Sequence, residues 1–180
     1  MKAGIRRRLI VSLIAMLIWL PSQGFGADDG EIKVSRVGAG TPMPSFTLPS
    51  LSGAPISSAQ LAGKIAVLNF WATWCGPCKD EMPALDRLSR RFDPRDVAIL
   101  TITTDHDDAT IRRFMQQVGS TLPVLLDEQR DVSLAFLVRG LPTTILVGKR
   151  GHILGRAVGP RAWDGSEAIR LIEGLLEADR

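Results

Sequence analysis

The sequence predicts an α/β domain in which a central mixed β-sheet is flanked by helices and preceded by an N-terminal β extension. Two nearly continuous apolar runs of strand length, GKIAVLNFWA from Gly63 and DVAILTITTD from Asp96, read as strands buried on both faces. Amphipathic segments follow each run, and the chain closes with two strands around a turn and a last helix. Strands alternating with helices in this way need a sheet covered on both sides. With 45% hydrophobic and 23% charged residues, the composition is that of one globular domain plus appendages. No repeat, low-complexity block or second domain is visible.

The first 26 residues differ in kind. Lys2, Arg6, Arg7 and Arg8 precede an apolar run from Leu9 to Leu20, followed by Pro21 and the small-residue stretch SQGFGA. This is the three-part pattern of a secretory signal, and the Sec route accounts for the arginines as well as twin-arginine export would. The run falls short of the ~20 residues a membrane span needs, which favours cleavage. The alternative is an uncleaved anchor over 9–20, because Gly24 and Gly26, or Phe25 and Ala27, match a cleavage site only in part. No cysteine lies near residues 20–27, so a lipid-modified cysteine is excluded.

The basic balance of the whole chain comes from this segment. The chain carries 22 Lys and Arg against 19 Asp and Glu, and residues 1–26 hold four of the basic residues and no acid, so the remainder has a net charge of −1. Nothing in it supports nucleic-acid binding. The expected product is periplasmic or otherwise extracytoplasmic, with residues 27–36 as a linker and 37–178 as the domain.

In order, PSFTLPSL is an edge strand or hairpin, because Pro44 and Pro49 confine it to a sheet margin. The run from Gly63 is the central strand. Cys75 to Phe92 is a helix with Met82, Leu85, Leu88 and Phe92 on its apolar face, and Pro83 inside it should kink it. After the strand DVAILTITTD comes a helix capped by Asp107 or Asp108, with Ile111, Phe114, Met115 and Val118 as its stripe and Gly119 as its stop. LPVLLD is a short strand, QRDVSLAFLV a short helix, and PTTILVGKRGHILGRAVG two strands around a turn at Gly148 to Gly151. GSEAIRLIEGLLEA is the final helix, with Ile169, Ile172 and Leu176 inward.

The only two cysteines, Cys75 and Cys78, stand three apart in NFWATWCGPCKDEMP. A pair so close constrains almost no loop, so it is wanted for chemistry and not as a staple. It falls where the central strand hands over to a helix, where unpaired N–H groups and the helix dipole favour a thiolate at Cys75. The thiolate attacks a partner disulfide, and Cys78, one turn in, resolves the mixed disulfide. Gly76 lets a partner backbone approach, and Pro77 fits the first turn, where its missing N–H costs little. A zinc site would need four ligands, and His106 and His152 lie far along the chain, so no metal is expected.

This stretch, with GLPTT downstream, resembles the thioredoxin superfamily, specifically its exported TlpA/ResA branch of thiol:disulfide oxidoreductases. The resemblance covers residues 37–178 and also rests on PMPSFTLPSLSG and GHILGRAVGP. It implies a thioredoxin fold, with Pro142 as the cis-proline opposite the cysteines and Leu141 presenting backbone to an incoming peptide. It implies that Glu81 accepts the proton of Cys78, the alternative being a solvated helix-face charge like Asp80. Trp74 would be a partly exposed contact surface and Trp71 a packing residue.

Two positions depart from the pattern. Asn69 stands where thioredoxin has a buried acid, and Asn cannot take a proton, which shifts that role toward Glu81 or water. Gly148 stands where an acid is usual. The resemblance further implies client proteins with cysteine pairs, a membrane thiol-electron donor, a monomer, and no cofactor beyond the Cys75–Cys78 disulfide. The Gly-Pro pair between the cysteines is that of thioredoxin, a reductant, which points to disulfide reduction, as in cytochrome c or oxidase copper-site assembly. A Sco-like copper chaperone is the competing reading, but such proteins use CxxxC, one residue longer. A peroxiredoxin would need Thr or Ser three before its cysteine, a register that ATWC lacks.

Overall fold

A computed structural model of the chain describes residues 33–36 and 40–178. The expected signal and the anchor alternative at 9–20 lie outside the described residues. No helix among the described residues is long and apolar enough to cross a membrane.

The elements in chain order are β1 (Ser35–Arg36), β2 (Thr47–Leu48), β3 (Ile56–Ser57), β4 (Ile65–Trp71), α1 (Gly76–Ser89), β5 (Val97–Thr103), α2 (Asp108–Val118), β6 (Val124–Leu126), α3 (Asp131–Ala135), β7 (Thr143–Val147), β8 (Ile153–Val158) and α4 (Ser166–Ala178). A six-stranded sheet runs β1-β8-β7-β4-β5-β6. β4 pairs parallel with β5 and β5 with β6, whereas β7 is antiparallel to β4 and to β8, so the sheet is mixed.

All seven residues of β4 are buried, as a central strand requires. Side chains alternate between the faces of a strand. Ile65, Val67 and Trp71 pack into one core with Met82, Leu85 and Leu88 of α1, Ile111 and Phe114 of α2 and Ile172 of α4. Ala66, Leu68 and Phe70 pack on the other face with Phe46, Leu48 and Leu61 of the lead-in and with Phe136. Asn69 shares the parity of Val67 and Trp71, which turns it toward α1.

The lead-in does more than form a hairpin. β2 and β3 pair as a separate antiparallel ribbon. In the segment joining these two strands Ser50 bridges Leu125, with Leu126 N–H donating to the Pro49 carbonyl and Leu51 N–H to the Val124 carbonyl. Pro49 thus serves the edge of β6 through its carbonyl, where a missing N–H costs nothing. At the opposite edge Ser35 and Arg36, within the stretch assigned to the linker, pair with Arg156 and Gly155 of β8. Both edges of the sheet are covered by chain preceding β4, which removes two templates for unwanted strand pairing.

In one detail the structure differs from expectation, and in two it agrees. α1 ends at Ser89, three residues short of Phe92, and it runs as one α-helix through Pro83. Asp107, and not Asp108, caps α2 by accepting from the N–H of Ala109. Gly119 ends α2 at φ 65°, a left-handed conformation natural to glycine.

Candidate active site

β4 ends at Trp71, and four residues later Cys75 is the N-cap of α1. Its backbone is extended (φ −88°, ψ 101°), and its Sγ accepts from the Cys78 N–H at 3.3 Å. A first-turn amide aimed at sulfur, with Pro77 supplying no competing N–H, is the arrangement that stabilises a thiolate when the pair is reduced. In this structure the pair is oxidised, with Cys75 and Cys78 joined at 2.04 Å. Cys75 is 6% exposed and Cys78 fully buried, so a partner can reach only the first sulfur.

The loop before the helix is held from across the sheet. Asp105, just past the end of β5, accepts from the Thr73 N–H at 2.7 Å and from the Thr103 hydroxyl at 3.0 Å. A carboxylate accepting a backbone N–H is a strong form of hydrogen bond, and here it fixes the turn that presents Cys75.

The Leu141–Pro142 bond is cis. Trp74, Cys75, Gly76, Pro77 and Leu141 line a groove of about 570 Å³. Trp74 is 74% exposed beside it, and Trp71 is buried and stacked on Phe114 at 4.6 Å. Pro142 itself is buried behind the groove. The structure therefore brings the sequence-predicted peptide-contact residues to one place, with Pro142 as their support.

Glu81 is not the solvated charge that Asp80 is. It is 3% exposed, on the same side of α1 as Cys78 one turn earlier, while Asp80 faces solvent. Its Oε1 accepts from Asn69 Nδ2 at 2.7 Å, and its Oε2 from the Arg161 N–H at 3.0 Å and Trp163 Nε1 at 3.2 Å. Burial raises the pKa of this carboxyl above its ordinary value, against the three donors, which pull it down. Asn69 Nδ2 also donates to Thr144 Oγ1 at 3.0 Å, directly across the β4–β7 pair, and Asn69 Oδ1 has no partner among the described residues.

A match to the AhpC/TSA family spans residues 39–155. The chain is 31% identical over 160 residues to the thiol-disulfide oxidoreductase ResA of Bacillus thuringiensis (strain Al Hakam), covering 86% of this chain and 90% of that protein. It is 35% identical over 139 residues to ResA of Halalkalibacterium halodurans, covering 77% of this chain and 76% of that one. Among solved structures it resembles a putative thiol:disulfide interchange protein DsbE from Chlorobium tepidum. That likeness has a TM-score of 0.70 at 25% identity over 80% of this chain and 99% of the other. The chain belongs to the AhpC/TSA family.

Within that family it is a TlpA/ResA-like thiol:disulfide oxidoreductase with the thioredoxin fold. Exchange through a cysteine pair calls for one sulfur within reach of a partner and one shielded, and Cys75 is slightly exposed while Cys78 is fully buried. Among the described residues no group of three His, Cys, Asp or Glu is placed to hold a metal ion, and His106 instead faces Glu128 at 3.7 Å.

The sequence singles out the cysteines, Glu81 and Pro142, but not the residues that hold Glu81. Asn69 was legible in part, since a lone polar residue in an apolar strand marks a face with a polar partner. Arg161 and Trp163 carried no such signal, because they lie in a Gly- and Pro-bounded loop 80 or more residues from Glu81. Asp105 looked like the polar end of a strand.

Proposed function

We propose that this oxidoreductase is exported and reduces disulfides of client proteins, with Cys75 as nucleophile, Cys78 as resolving thiol and Glu81 as proton acceptor for Cys78. The carrying observation is the depth order along α1: Cys75 at the tip, Cys78 buried one turn in, and Glu81 buried one turn further.

In the reduced form, the Cys75 thiolate attacks one sulfur of a client disulfide, joining Cys75 to that sulfur and releasing the other as a thiolate. Glu81 removes the proton of Cys78. The Cys78 thiolate then attacks Cys75 Sγ, forming the Cys75–Cys78 disulfide and releasing the second client sulfur. Two electrons pass to the client, which ends as a dithiol. A membrane dithiol donor returns two electrons to the protein, and no cofactor beyond the cysteine pair takes part.

The groove beside Cys75 receives the client, with Trp74, Gly76 and Pro77 on one side and Leu141, supported by Pro142, on the other. The N-terminal basic and apolar segment supports export, and a relative of known structure is described as secreted. Clients would be apoproteins awaiting haem attachment or copper-site assembly.

Equilibrating the full chain with dithiothreitol and glutathione buffers measures the direction. A midpoint near the about −270 mV of thioredoxin supports reduction, and one near the about −120 mV of DsbA reverses the proposed electron flow. Cys78→Ser should accumulate a mixed disulfide at Cys75 visible by mass spectrometry. Glu81→Gln should slow release of that species in the otherwise intact protein, and unchanged rates across pH would remove Glu81 from the mechanism.

A further inference from the structure

The groove beside Cys75 does not end at Leu141. Across the loop that precedes the cis-proline lies a second depression of about 300 Å³ that shares Arg139 and Gly140 with the first and ends at Leu137 and Val158. The linings of the two include Arg130, Arg139 and Arg156 and no carboxylate. Outside residues 1–26 the chain has one more acid than base, so this positive charge is a local concentration and not a property of the whole surface.

The three arginines are not equivalent. Arg156 is committed to structure, donating to the carbonyls of Phe136 and Leu137. Burial first and the charge of Arg139 second pull its pKa below the ordinary arginine value, so the two guanidinium groups feel each other. Arg130 and Arg139 make no side-chain hydrogen bond or ion pair among the described residues, whereas Arg87, Arg90 and Arg95 each hold a carboxylate.

The backbone also sets this face apart. Arg130 (φ 65°) and Leu137 (φ 54°) are the two non-glycine residues with positive φ among the described residues, and they bracket α3 beside the groove. Such conformations persist only where surroundings hold them, and they gather at sites of function. Here the Arg130 N–H donates to the Asp127 carbonyl and Arg156 holds the Leu137 carbonyl. Of the four large exposed apolar side chains among the described residues, three lie here, Trp74 in the first depression and Leu137 and Val158 in the second; the other, Leu134, is on α3.

We propose that Arg130 and Arg139 select client segments whose reactive cysteine is flanked by carboxylates, with an apolar client residue seated on Leu137 and Val158. The inference deepens the reading of the groove as the client site and rests on it. Two unpaired guanidinium groups beside the attackable sulfur place a positive field where a client must dock, favouring acidic segments and repelling basic ones. The apolar step then holds the segment in one orientation along the groove.

The test uses the reduced full chain and three peptides, each bearing its cysteine as a mixed disulfide with an uncharged thiol and differing only in flanking pairs: Asp, Ala or Lys on both sides. At low salt the wild type should react on the order of tenfold faster with the Asp than with the Lys peptide, and added salt should shrink that ratio. The double variant Arg130→Glu, Arg139→Glu should invert the ratio, and Arg139→Gln alone should reduce it. Because the readout is a ratio within one preparation, it does not depend on how much of a variant folds. A wild-type ratio near one, or a ratio unmoved in both variants, overturns the inference while leaving disulfide exchange intact. Failure of all three peptides, including the Ala peptide, to exchange would sink the client reading and this inference with it. In a version of the Ala peptide that carries a Leu next to its flanking pair, exchanging that Leu for Ser should slow the wild type severalfold and Val158→Ser less, and equal slowing would remove the apolar step.

Discussion

Trp163 Nε1 donates a hydrogen bond to Glu81 Oε2 at 3.2 Å, joining residues 82 positions apart in a fully buried contact. With the Arg161 N–H on the same oxygen, it ties the segment between β8 and α4 to the carboxyl behind the cysteines. All three groups on Glu81, a backbone amide, an indole and the Asn69 amide, are donors as placed. They stabilise the carboxylate over the protonated form. Burial works in the opposite direction and is the stronger influence, leaving Glu81 easier to protonate than an exposed glutamate. A base of this kind can take a thiol proton and give it up again.

Removing the indole donor should make that carboxyl harder still to ionise. Trp163→Phe is expected to slow the resolving step at neutral pH by about tenfold, the equivalent of ~1.4 kcal/mol from one hydrogen bond to a charged group. The basic shift should appear in the pH profile of mixed-disulfide release, while alkylation of Cys75 stays as in the wild type. An unshifted profile would mean that Trp163 only fills space.

Two buried carboxyls on α1 should impose opposite pH dependences on stability. Glu81 has its folded value raised, so the folded state holds more protons than the unfolded state above the ordinary value of 4.5. Its contribution is fully present below 4.5 and is lost as pH rises through the folded value. Glu81→Gln should therefore flatten the stability curve on the neutral side, read by denaturant unfolding of the oxidised protein over a pH series.

Asp86 is buried too, and burial alone would raise it. The Thr121 N–H and hydroxyl, the charge of Arg90 and the Ser120 hydroxyl outweigh that cost, so its value is lowered from 3.8. Its contribution is present above 3.8 and is lost as pH falls through the lower folded value. Asp86→Asn should cost about 1 to 3 kcal/mol at neutral pH and nearly nothing in strong acid, because it releases the 120–121 turn from α1. A cost independent of pH would refute the assignment.

Asp105 should matter to the cysteines without touching them. Asp105→Ala frees the Thr73 N–H, and local opening of that amide should become easier by about 1 to 2 kcal/mol. Hydrogen exchange at Thr73 would rise roughly tenfold or more and exchange at Cys75 would slow, with global unfolding little changed. Unaltered protection at Thr73 would show that the turn holds itself.

Much of the site was legible because its logic is local. The apolar run of β4, the cysteine spacing and Pro77 place Cys75 at a helix tip through short-range rules alone. Glu81 and Asp80 show the boundary: adjacent acids on one helix point about 100° apart, and which one is buried depends on where α1 lies on the sheet. Asn69 shows it again, since strand alternation assigns its face but only the arrival of α1 supplies Glu81 as its partner.

By itself, then, the amino-acid order determined the main strands, the helices and the helix-tip placement of the first sulfur, because periodicity, capping and helix-end electrostatics act within a few residues. Tertiary structure decided what burial and distant contact control. It buried Glu81 and brought Trp163 and the Arg161 amide to it, placed Asp105 on the Thr73 turn, and left two arginines unpaired beside Cys75. It also folded the lead-in over both sheet edges. Desolvation and hydrogen bonding between residues far apart in sequence exist only once the layers have closed.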